Sequence, residues 1–237
     1  MKNKYIKRIL LGAVGMFIIS AGASAAELTS KQKSIIPIAA FTAEGDLERL
    51  KVSLNEGLDS KLTVNEIKEV LVHSYAYAGF PRSLNGINTF IAVLNEREAK
   101  GIKDEIGRDA SPVSADIDKN QYGEKMRTSL SGGTRATPAY AEFAPVIDTF
   151  LKEHLFADIF MRDNLDYLSR ELTTISILAG LGNVNAQLRS HMNICMNLGM
   201  TPEQMTEFVE VLREKVSPEK AANAQQVAQL VIESRKK

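Results

Sequence analysis

Glu171 and His191 are the residue pair in this chain best suited to chemistry. They stand 20 positions apart, a separation that places them on successive helices of a hairpin and lets both face one groove. An imidazole titrates near neutral pH and can give or take a proton there. A carboxylate beside it can orient the ring or pass the proton onward. Such a histidine can deliver a proton to an atom that gains an electron pair during a reaction. Arg170 and Arg189 flank the pair in sequence and can hold a substrate carboxylate by two parallel hydrogen bonds. Each of these residues also has a plainer reading, as a packed histidine or a solvated helix charge.

Other candidates are weaker. Cys195 follows His191 by four residues and so shares its helical face. A Cys–His dyad is one reading, and a small buried apolar residue is the other. Tyr75 and Tyr77 precede a break at Gly79-Phe80-Pro81, where Pro81 lacks a backbone donor and disfavours helix before it. Tyr77 either packs in the core or closes a composite pocket over Glu171 and His191. His73, His154 and His191 show no close ligand spacing, and there is no phosphate loop or dinucleotide fingerprint. Neither a metal nor another cofactor is expected.

The elements that carry these residues are helical. Capping boxes stand at Thr29/Gln32 and Thr63/Glu66, and Thr201-Pro202-Glu203-Gln204 opens another helix. Apolar residues behind them recur at helical spacing, as in Ile67, Val70 and Leu71. Period-2 alternation is nowhere sustained. Ala, Leu, Ile, Val and Met carry the apolar content and Trp is absent, so the expected class is all-α. Residues 100–136 hold six Gly and Pro residues and read as a linker with one short helix around Gln121–Ser129.

The chain begins with Lys2, Lys4, Lys7 and Arg8, then an apolar run from Ile9 to Ile19, then Ala23-Ser24-Ala25. This is the layout of a secretory signal peptide over residues 1–25, cleaved near Ala25. The expected location is periplasmic or secreted, with no membrane attachment after cleavage. Loss of those four basic residues from 29 leaves 25 against 29 acidic ones. That balance lacks the basic footprint that nucleic acid needs. With one cysteine, the chain cannot form an internal disulfide, so burial must hold it together.

The chain also repeats. At a shift of 138 residues Thr201 falls on Thr63, Gln204 on Glu66, Leu188 on Leu50 and His191 on Ser53. Upstream, Leu168 and Ile175 fall on Leu28 and Ile35 at a shift of 140, which places Glu171 on Lys31. The copies are expected at 26–99 and 137–237, each packing against the other. The first lacks the Glu/His pair. The Tyr75–Pro81 turn finds no clear partner in the second copy, where Lys215–Asn223 reads as plain helix.

These strings resemble the carboxymuconolactone decarboxylase family. The similarity rests on Thr63-Val64-Asn65-Glu66-Ile67-Lys68-Glu69-Val70-Leu71 with Tyr77-Ala78-Gly79-Phe80-Pro81. It rests equally on Arg170-Glu171-Leu172-Thr173-Thr174-Ile175, Gln187-Leu188-Arg189-Ser190-His191 and Gly199-Met200-Thr201-Pro202-Glu203. The resemblance implies an AhpD-like helical bundle in tandem two-copy form, assembling as a homo-oligomer of trimer or hexamer type. It implies a cofactor-independent lyase acting on a small lactone or carboxylic acid, with Glu171 and His191 in the catalytic positions. The family's peroxidase branch places a Cys-x-x-Cys pair just before that histidine. Here Val184 and Gln187 stand in those positions, which argues against dithiol peroxidase chemistry. An AhpD-like redox protein acting through Cys195, or a non-catalytic helical binding protein, are the alternatives.

Overall fold

Thr29 caps the first helix, α1 (Ser30–Glu44), through a complete box in which its hydroxyl accepts from the Gln32 amide and the Gln32 side chain accepts from the Thr29 amide. In this computed structural model, which describes residues 27–133 and 136–236, α1 is buried along most of its length. Ile35, Ile36, Ile38 and Phe41 are all nearly inaccessible. Each contributes about 1.5–3 kcal/mol by leaving water. The expected leader lies outside the described residues.

The next elements are α2 (Leu47–Asp59) and α3 (Val64–Ala99). The second capping box, Thr63/Glu66, is formed as expected. The anticipated break falls at Gly79, whose φ of 81° and ψ of 160° divide α3 into two limbs. An L side chain rarely adopts that conformation, so glycine sets the kink. Residues 101–118 then run without regular helix, tied down by backbone bonds from Val64 to Glu105 and from Asn65 to Ile106. The expected linker helix is α4 (Lys119–Leu130). It packs against a wider π-helical segment over Leu151–Ile159, which follows α5 (Ala139–Phe143) and α6 (Pro145–Phe150) in the chain. Leu130, Leu155, Phe156, Ile159 and Phe160 form a second small core with Ile194, which ties this insertion to the rest of the fold.

The second copy comprises α7 (Tyr167–Leu181), α8 (Asn185–Asn197), α9 (Pro202–Val211) and α10 (Pro218–Ser234). Among the described residues no strand occurs, so the fold is all-α, and the two copies build one shared core. The helix ends refine the repeat. α8 and α9 begin 138 residues after α2 and α3, but α7 begins 137 after α1, and both first helices stop at a left-handed glycine, Gly45 and Gly182. The upstream shift of 140 is therefore corrected, and Glu171 lies opposite Ser34 rather than Lys31. The lost-turn reading is corrected too. Ser217, at φ −162° and ψ 132°, breaks the chain before Pro218 where Gly79 breaks it in the first copy. What the second copy lacks is the pair of tyrosines, not the break.

The copies meet chiefly along α1 and α7. A Cβ on Gly180 would come within 2.8 Å of the Ala40 carbonyl oxygen, so glycine permits the close approach of these two helices.

Candidate functional site

α7 is buried from Ser169 to Gly180. A helix enclosed on all sides normally carries apolar residues only, yet this one carries Arg170, Glu171, Thr173, Thr174 and Ser176. Each polar group must then find a partner inside the protein. Thr173 and Ser176 donate to carbonyls one turn back, at 2.9 and 2.7 Å. The two charges find theirs on other helices.

Glu171 finds His191. Its Oε2 lies 2.6 Å from His191 Nδ1, with the carboxylate fully buried and the imidazole side chain 12% exposed. A carboxylate only accepts, so Nδ1–H donates and Nε2 points away from the pair. His191 Nε2 makes no hydrogen bond among the described residues. On α8, Leu188, His191, Met192 and Cys195 form the inward stripe at i, i+3, i+4 and i+7. The sequence spacing therefore brings the expected pair together.

Tyr77, from the first copy, joins it. Its ring meets the His191 ring edge-on, with centroids 5.6 Å apart and planes at 84°. The Tyr77 hydroxyl and Glu171 Oε1 are both buried without a hydrogen-bond partner. Burial first, and then the Glu171 charge, push the Tyr77 phenol far above its ordinary range. It therefore remains a donor. Thr174 is its other polar neighbour, without hydrogen-bond geometry between them.

His73, also from the first copy, lines the far side of Tyr77, with ring centroids 5.2 Å apart. Its Nδ1 accepts from the Arg170 guanidinium at 3.5 Å, so Nε2–H donates to the Thr174 hydroxyl at 2.7 Å. Complete burial, the Arg170 guanidinium and His191 hold the His73 ring well below the ordinary imidazole range. Sequence reasoning missed this residue. It stands two turns of α3 inside its capping box on the buried face, the one signal available.

Neither arginine is at the His191 ring. Arg170 is fully buried, donates to the Arg162 carbonyl at 2.6 Å and pairs with Glu69 at 3.0 Å. Glu69, itself 1% exposed, also receives Arg162 at 2.9 Å. A substrate carboxylate would have to displace Glu69 to reach Arg170. Arg189 is exposed and lies two residues from His191 on one helix, on a different face. Within the chain, Arg170 is committed to Glu69 and Arg189 faces away from the His191 ring. Cys195 is fully buried, and burial together with the Glu171 charge pushes its thiol well above its ordinary range. A thiol so held is a poor nucleophile. Val184 is half-buried at the start of α8 and Gln187 is exposed. Among the described residues no three His, Cys, Asp or Glu side chains gather to hold a metal ion.

Fold and site together define a two-copy, all-helical bundle with one carboxylate-held histidine where the copies meet. The chain belongs to the carboxymuconolactone decarboxylase family, whose model matches residues 16–90 and 145–233, one stretch in each copy. It is similar to 4-carboxymuconolactone decarboxylase of Acinetobacter baylyi (strain ATCC 33305 / BD413 / ADP1), with 26% identity over 97 residues that cover 40% of this chain and 72% of that one.

Proposed function

We propose that this chain is a cofactor-independent lyase acting on a small lactone or carboxylic acid, with His191 as the proton carrier. The observation that carries this reading is the 2.6 Å bond from Glu171 to His191, which fixes the ring and leaves Nε2 for a substrate. Loss of CO2 would leave an electron pair conjugated with a lactone carbonyl. His191, carrying a proton on both ring nitrogens at that stage, would deliver the Nε2 proton to the carbon that gained the electron pair, and solvent would then replace it. Tyr77 would donate to the substrate oxygen from the opposite side, giving its orphaned hydroxyl a partner. Family membership and the similarity to a 4-carboxymuconolactone decarboxylase support this class of reaction.

Burial of Cys195 speaks against the redox alternative. The reading extends to export through residues 1–25 and to a homo-oligomer. Exposed apolar side chains at Phe143, Val146, Ile147 and Phe150 fit the second expectation. Incubating the protein with 4-carboxymuconolactone, related lactone acids and β-keto acids, and following CO2 release, tests the proposal. Release from any of them supports it. Saturable binding of a lactone acid without release from any substrate would instead assign the site to a binding protein.

A further inference from the structure

A cavity apart from the Glu171/His191 pair opens between the two limbs of α3 and the turn that precedes α7. Its volume is about 360 Å³, within the usual range of small-molecule pockets. Val72, Ile87, Phe90 and Leu94 form an apolar wall. The opposite end is polar, with Lys68, Glu69, Arg162 and Asn164.

The ion pairing at that end is uneven. Glu69 is shared by two guanidinium groups, those of Arg162 and Arg170. Lys68 donates only to the neutral Asn65 side chain, at 3.2 Å, and forms no ion pair among the described residues. Asp109 at the rim accepts from Asn65 at 3.0 Å and is the other carboxylate lining the cavity. The lining charges are equal in number, Lys68 and Arg162 against Glu69 and Asp109, but Glu69 is already committed to Arg162 and Arg170 and Lys68 is left without a carboxylate partner among the described residues. Asn164 adds an amide oxygen that is buried without a partner. Amide oxygen and nitrogen exchange places by a half-turn, so that position can equally present a donor. An apolar wall beside an ammonium without an ion pair and an unpartnered amide suits one kind of occupant.

We infer that this cavity binds a small amphipathic monocarboxylate, its chain against Leu94 and Val72 and its carboxylate at Lys68 and Arg162. A neutral molecule of the same length would fill the wall but leave the Lys68 ammonium without a counter-charge. No residue of the Glu171/His191 site lines the cavity, so binding here is separable from turnover there.

Titration calorimetry of the full chain with sodium octanoate and with octanol tests the inference. Saturable binding of octanoate at one site per chain is expected, with octanol about ten-fold weaker or more. Lys68→Gln should weaken octanoate several-fold and flatten its salt dependence. Leu94→Trp should abolish binding by filling the cavity. Ile91 lines the same cavity and is half exposed, so Ile91→Trp gives a second blocking variant should Leu94→Trp fail to fold. His191→Ala should bind octanoate as the wild type does. Equal affinity for octanol, no octanoate binding at millimolar concentration, or undiminished binding by a folded blocking variant would each overturn the assignment.

Discussion

The Tyr77 ring of the first copy stands edge-on to the His191 ring of the second, 5.6 Å between centroids. Catalytic candidates from two repeats thus share one site, although only the second repeat carries the Glu/His pair. The Tyr77 hydroxyl is buried without a partner, an arrangement that costs stability unless a ligand supplies one. Tyr77→Phe should therefore leave the melting temperature unchanged or raise it. On a substrate that the enzyme turns over, the same change should lower kcat/KM by about ten-fold, the loss of one hydrogen bond. A clear drop in melting temperature with undiminished kcat/KM would show that the hydroxyl serves packing alone.

Glu69 neutralises the fully buried Arg170. Glu69→Ala leaves that guanidinium uncompensated and should destabilise the fold by about 3–5 kcal/mol. Urea unfolding measures this directly. A loss below about 1 kcal/mol would mean that the Arg162 carbonyl and solvent suffice to accommodate the guanidinium.

His73 predicts an acid-sensitive step in stability. Its folded-state pKa lies below the unfolded value, so the unfolded chain takes up the proton first as pH falls. Stability is fully present above about pH 6.5 and declines below it, by up to about 1.4 kcal/mol per pH unit from this one group. The slope of unfolding free energy between pH 6.5 and 5 should be shallower in His73→Gln. Identical slopes in the two proteins would contradict the buried neutral assignment.

Cys195 should resist thiol reagents in the native protein and react at once in denaturant, since its thiol is buried and held protonated. Stoichiometric labelling within seconds under native conditions would revive the redox reading.

Much of this was legible before any coordinates. The caps at Thr29, Thr63 and Thr201 form as their spacing requires, because a capping box is a local contract between residues three apart. The Glu171–His191 pair followed from two helices of a hairpin. The inward stripe through Leu188, Met192 and Cys195 also showed, in retrospect, that Arg189 faces elsewhere. The bond between Arg162 and Glu69 joins residues 93 apart in the chain, and no periodicity announces it. The same is true of His73 against Arg170, 97 apart. Arg170 is an instance: its type suggests a substrate contact, while Glu69, the carboxylate it pairs with, lies on a helix distant in sequence. The upstream register of the repeat was misjudged because apolar matches such as Ile35 with Ile175 recur at several helical offsets, whereas the glycine stops at Gly45 and Gly182 fix one.

The central claim is that His191, held by Glu171, moves the proton. Its most direct test is kcat/KM of the wild type and of His191→Ala on the best lactone or β-keto acid, at matched folded concentration. The account predicts a loss on the order of 10²-fold or more in the variant. A folded His191→Ala that retains the wild-type rate would contradict it.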